Sequence, residues 1–129
     1  MRKNEIFKNR LLIFLLIGVV LSLSAVSPVV AARRIKIGKI IDKLKSENVQ
    51  QRRIAALELG DLKNPKALDA LIDALSDKDR AVRMNVVWAL GRIKDKKAIS
   101  PLKGVSESDK LSEVREAALA AIKRIEGSK

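Results

Sequence analysis

Asp77 and Asp79, separated by one lysine, are as tight an acidic pair as the sequence contains. Paired carboxylates are the raw material of metal sites and of general acid–base chemistry. What such chemistry needs beside them is missing. No further oxygen ligands and no glycine follow at the spacing of a calcium loop. The chain has no Cys and no His, which excludes zinc and soft-metal sites, thiol nucleophiles, disulfides and every Ser-His or Cys-His arrangement. Both aspartates stand where helix N-caps are expected. The sequence therefore offers no catalytic residue, no metal site and no cofactor, and it reads as a protein that is not an enzyme.

The basic residues are more numerous. Lys and Arg total 27 against 15 Asp and Glu in 129 residues, a formal charge of +12. Lys63, Lys66, Lys94, Lys96 and Lys97 fall near the C-terminal ends of apolar helical segments. Glu47, Asp77, Asp79, Glu107 and Asp109 fall at the opposite ends. The helix macrodipole accounts for this distribution but not for the excess, which argues for an anionic partner. Nucleic acid is disfavoured, since Trp88 is the only aromatic residue beyond Phe14 and stacking platforms are absent.

These residues are positioned by a repeat. Ala55–Leu62 aligns with Val86–Ile93 at an offset of 31 residues and then with Ala118–Ile125 at a further 32. Arg52, Arg83 and Arg115 fall in register, as do Leu59, Leu90 and Ile122. Leu68, Leu71, Ile72 and Leu75 likewise echo Ile37, Ile40, Ile41 and Leu44. Each unit is a helix pair, and the chain is all-α. Helix A of the units is expected over 35–45, 65–75 and 97–105, and helix B over 49–62, 79–94 and 111–126. Val82, Val86, Ala89, Leu90 and Ile93 trace the buried stripe of the second B helix. Asn64 ahead of Pro65, and Asp77 and Asp79, supply start signals. Gly60 and Gly91 precede their helix ends and read as close-packing positions. Pro101 and Gly104 predict a kink in the third A helix.

The second unit, Val82-Arg83-Met84-Asn85-Val86-Val87-Trp88-Ala89-Leu90-Gly91-Arg92-Ile93-Lys94-Asp95 followed by Ala98-Ile99-Ser100-Pro101-Leu102, resembles the HEAT-like repeat of the phycobilisome-lyase type. The first unit departs from it with Gln51 before Arg52, and the third with Lys123 in the glycine position and one extra loop residue. The resemblance implies a short α-solenoid of three HEAT-like hairpins, at about 35–62, 65–94 and 97–126, with the B helices lining the concave side. It also implies that Arg52, Arg83 and Arg115 form a structural ladder with acidic or amide side chains near the A-to-B turns, here Asn48, Asp79 and Asp109.

Trp88 lies about 200° from Val86 at roughly 100° per residue, on the side opposite the buried stripe. Met84 and Arg92 flank it, and Leu57 and Ala120 take its place in the neighbouring units. With Arg53 and Arg124 at the margins, this is the anatomy of a binding hot spot. The partner-binding candidates are Trp88, Met84, Leu57, Arg53, Arg92 and Arg124. Lys63, Lys66, Lys94, Lys96 and Lys97 form an edge for an anionic partner.

Arg2, Lys3, Lys8 and Arg10 precede an apolar run from Leu11, and Val29-Val30-Ala31-Ala32 offers small residues where a signal peptidase reads. Residues 1–32 read as a cleaved signal peptide or an uncleaved N-terminal anchor, and 33–129 as the repeat domain. Without residues 1–32 the chain keeps 23 basic and 14 acidic residues, a net charge of +9. The expectation is an exported or membrane-tethered, non-catalytic scaffold in the cell envelope that binds a protein or an anionic envelope component. The alternatives are an accessory, lyase-like subunit of an enzyme complex, or a nucleic-acid binder if the chain is not exported.

Overall fold

The computed structural model describes residues 27–128. Six α-helices occur among them: α1 (Pro28–Lys43), α2 (Val49–Leu62), α3 (Leu68–Asp73), α4 (Arg80–Ile93), α5 (Ile99–Ser108) and α6 (Ser112–Glu126). Single 3₁₀ turns at Pro65–Ala67, Ala74–Ser76 and Lys96–Ala98 extend α3 at both ends and lead into α5. No strand is present among the described residues. The chain divides into two compact units, Met1–Ile35 and Lys36–Lys129, and the hydrophobic core of the repeats belongs to the second. The basic and apolar stretches assigned to targeting lie outside the described residues as far as Val26. Among the described residues no helix is long and apolar enough to cross a membrane.

The three pairs α1/α2, α3/α4 and α5/α6 are the expected hairpins, and their B members α2, α4 and α6 pack side by side in series. Stacking explains why the middle helix is buried on more than its stripe. Val82, Val86, Ala89 and Leu90 are inaccessible as expected, and Val87 and Gly91 join them because α6 covers the flank on which they lie. Leu59, Leu71, Leu90, Leu102 and Ile125 run through the core as fully buried side chains. Each such residue contributes about 2 kcal/mol of transfer free energy. No residue larger than Leu is needed, which suits helices that approach closely.

Local chemistry sets the boundaries. Asn48 caps α2 by accepting from the amides of Gln50 and Gln51, and Asp79 caps α4 by accepting from Val82. Asn64 accepts from the Lys66 amide with Pro65 at the first helical position, and Asp95 repeats that cap one unit later. The C-termini are closed by Lys63 and Lys94, both left-handed at φ 47° and 60°. A glycine is the usual residue there, and no sequence signal announces a lysine in that conformation. Two expectations need correction. The first A helix begins at Pro28 rather than at 35. The third is an α-helix that runs on through Pro101 and Gly104 to Ser108 rather than ending at 105. Pro101 lies in its first turn, where the missing amide has no partner to lose, and Gly104 is exposed with nothing near its open side.

Candidate functional site

The glycines place the B helices in contact. A methyl group on Gly60 would stand 2.8 Å from Cα of Ala89 and 2.7 Å from Cζ3 of Trp88, and one on Gly91 would stand 3.3 Å from Cα of Ala121. Ala89 and Ala121 hold the same position in successive units. Each glycine therefore receives the next unit's alanine, which is the close-packing role expected of it.

Trp88 lies half-buried on this framework, its ring edge over Gly60 of the preceding unit. The Arg92 guanidinium sits 4.9 Å from the ring centroid, in cation–π contact. Arg92 also donates from Nε to the Gly60 carbonyl at 3.3 Å and lies 3.6 Å from Asp61. On the other flank Trp88 lines a cavity of about 180 Å³ with Met84, Gly91, Ala117, Ala120 and Arg124. Arg124, in register with Arg92, makes no ion pair among the described residues. The structure thus brings Trp88, Met84 and Arg124 together around one apolar recess, with Arg92 held against the Trp88 ring outside it. Leu57 is separate: it is exposed on α2, outside the cavity lining.

Arg53 does not serve as a margin of this recess. Its guanidinium forms a two-point pair with Asp79, Nε to Oδ1 at 2.9 Å and Nη2 to Oδ2 at 2.7 Å. Hydrogen bonds from Arg53 and from the Val82 amide hold the Asp79 carboxyl well below the usual carboxylate range.

The ladder exists, with its partners displaced by one unit from those expected. Arg52 bonds Asp77 at 2.8 and 3.2 Å, and Arg83 bonds Asp109 at 2.7 and 3.2 Å. In both, Nη1 turns back to two carbonyls of its own unit's A-to-B loop, Ser46 and Glu47 for Arg52, Asp77 and Lys78 for Arg83. Each arginine therefore closes its own loop and clamps the next one. Asp79 belongs to Arg53 rather than to Arg83, and Asn48 only caps. The reason is geometric: the arginine side chain leaves its helix on the flank that faces the following unit. The Arg83 bond holds the Asp109 carboxyl below its ordinary value, assisted by the Leu111 amide. Arg115 donates to the Asp109 carbonyl at 2.6 Å.

Lys63, Lys66, Lys94, Lys96 and Lys97 are all exposed, as an anion-binding edge requires. Lys63 and Lys94 have a second duty as helix C-caps.

Bilin biosynthesis protein PecE of Nostoc sp. is 48% identical over 58 residues, which cover 44% of this chain and 23% of that protein. Bilin biosynthesis protein PecE of Mastigocladus laminosus is 50% identical over 52 residues, covering 40% of this chain and 19% of that protein. The chain thus matches about a quarter or less of the length of these relatives. Their names, which are those of biosynthesis proteins, overturn the expectation that the chain is not an enzyme. Residues 37–123 match the family of HEAT repeats. That match reaches all three stacked pairs, and the chain belongs to the HEAT-repeat family.

Proposed function

We propose that the chain is a lyase-like accessory subunit in bilin biosynthesis, and that the recess beside Trp88 is its contact for the bilin-bearing assembly. The similarity to two bilin biosynthesis proteins supports the reading at the level of the repeat. The observation that carries it at the level of residues is the half-buried Trp88 ring, flanked by Arg92 and Arg124 and open to a cavity of about 180 Å³. A linear tetrapyrrole is flat, apolar across its rings and carries carboxylates. An aromatic face with arginines at its edges is the matching surface. The recess is large enough for one ring of such a molecule rather than for the whole, so the remainder would be held by a partner protein.

Titration of the full chain with biliverdin, read through the emission of its single tryptophan, tests this. Saturable quenching is expected, and Arg124→Ala should weaken it about tenfold, the loss of one charge-assisted hydrogen bond. Quenching that never saturates and is unchanged in Arg124→Ala would remove the recess from the proposal.

This reading replaces the non-catalytic exported scaffold. The targeting role of residues 1–32 stands as a separate proposal. Intact mass of the protein recovered from its native cells should show an N-terminus at Ala32 or Arg33 if the segment is cleaved. We also propose the exposed lysine edge as the docking side for an acidic partner, to be tested by the salt dependence of binding in Lys96→Ala.

A further inference from the structure

Each B helix carries one stripe, spaced i, i+4, i+8, on the flank that meets the following unit. In α2 it is Arg52, Ala56 and Gly60, in α4 Arg83, Val87 and Gly91, and in α6 Arg115, Leu119 and Lys123. The first two stripes are fully covered: Ala56 is 0% and Val87 1% accessible, and both arginines are buried with their Nε and Nη2 atoms on an aspartate of the next unit. The third stripe is open. Leu119 is 49% accessible, Lys123 is exposed, and Arg115 makes a hydrogen bond only through Nη1, to its own loop. Among the described residues its Nε and Nη2 have no acceptor.

We infer that the α6 flank is a docking surface for an acidic protein segment, one that places a carboxylate on the free fork of Arg115 and an apolar side chain over Leu119. The chemistry is read from the chain itself. Two copies of the same arginine, on the same helix position and held by the same backbone carbonyl contact, each take a two-point aspartate. A guanidinium fork pre-set by one bond to its own loop loses less freedom when the carboxylate arrives. The character of the rest of the flank selects the partner. Lys123 stands where Gly60 and Gly91 admit a neighbouring B helix, and Lys103 stands where Ile72 faces the next A helix, so another repeat cannot seat at the same distance. Both substitutions add positive charge. A second copy of the chain is also a poor occupant, because its first A-to-B loop has Ser46 in the register position of Asp77 and Asp109. An acidic segment satisfies all three positions, and its docking is independent of any bilin bound at the recess.

The test uses the full chain and a synthetic peptide of residues 68–82, whose Asp77 is the natural occupant of the Arg52 fork, with its Asp77→Asn version as the control. NMR signals of the Arg115 Nε–H group and the Leu119 methyls should shift saturably with the Asp peptide. Affinity should fall about tenfold or more in Arg115→Gln and with the Asn peptide, in line with a charge-assisted pair. Melting should distinguish the two roles of the position: Arg83→Gln should unfold at a clearly lower temperature than the parent chain, and Arg115→Gln within a degree or two of it. An equal drop in both variants would make Arg115 structural and overturn the proposal. So would equal binding of the two peptides, the absence of any shift, or a concentration-dependent dimer abolished by Arg115→Gln, which would give the flank to a second copy.

Discussion

Trp88 and Ala120 occupy the same position in successive units, and the space that the tryptophan fills over Gly60 is the space that the alanine leaves empty over Gly91. The recess at the junction of the second and third units is therefore a consequence of one side-chain difference within an otherwise regular stack. Its mouth is furnished by what remains in register there, Met84 and Arg124.

Ala120→Trp should close the recess. With the position exposed and the neighbouring helix already spaced for a small residue, the new ring should lie over Gly91 as Trp88 lies over Gly60. Thermal melting should stay level or rise, while saturable biliverdin quenching should be lost. Trp88→Ala should instead cost about 2 kcal/mol, below the full core value because the ring is only half-buried. A variant Ala120→Trp that keeps full ligand response would show that the recess is not the contact.

The two kinds of arginine pair should separate in a stability series. Arg83 and Asp109 are each 7% accessible as side chains, and Arg83 also holds two loop carbonyls, so Arg83→Ala leaves a buried carboxylate without its cation, with only the Leu111 amide on it, and two carbonyls without the guanidinium donor. A loss of about 3 kcal/mol is expected from breaking a buried pair. Arg53 is a third exposed and its pair with Asp79 is screened by solvent, so Arg53→Ala should cost distinctly less. Urea midpoints of the two variants measure the order. A reversed order would mean that the cap and not the ladder dominates the junction.

Acid should weaken the same junctions. Asp109 and Asp79 are held below their ordinary values by Arg83 and Arg53, so the folded chain binds their protons less readily than the unfolded one, whose carboxyls titrate near 4. Their contribution is therefore complete above about pH 4 and lost progressively as pH falls through the lower folded-state values. The chain has no His, so no imidazole tilts the profile between pH 5 and 8. Urea midpoints from pH 7 to pH 3 should be flat and then fall, and the fall should be shallower in Arg83→Gln. Identical slopes in the two proteins would show that the Asp109 pair does not set the acid response.

Periodicity and the repeat make the helices, the register and the core legible in the sequence alone, because burial in a stack is dictated by spacing along each helix. Trp88, Met84, Arg92 and Arg124 are legible as a group for the same reason. Pairing across units is not. Register fixes where Arg83 starts but not which loop its six-atom reach will find, so Asp79 is matched to the wrong arginine and Arg53 is left free. The recess itself is hidden, since a vacancy arises from Ala120 failing to match Trp88 and leaves no mark on either helix alone. The left-handed Lys63 and Lys94 are also hidden, because nothing in their residue type favours that conformation.

The glycines give the most direct check on helix spacing. Alanine would be favoured at either position by helix propensity alone, by about 1 kcal/mol. At Gly60 the added methyl meets backbone, Cα of Ala89 at 2.8 Å, together with the Trp88 ring at 2.7 Å, and neither side can yield without moving α4 away from α2. At Gly91 the distances to Ala121 are 3.2 and 3.3 Å, so a shift of a few tenths of an ångström suffices, and that flank already borders the recess. Gly60→Ala should therefore be destabilising by about 2 kcal/mol or more, with Trp88 emission moving to the red as its seat is lost. Gly91→Ala should fall near zero, the strain and the propensity gain offsetting each other. Equal stability of the two variants, or an unchanged Trp88 spectrum in Gly60→Ala, would show that the first and second B helices do not sit at the close distance that the recess and its tryptophan depend on.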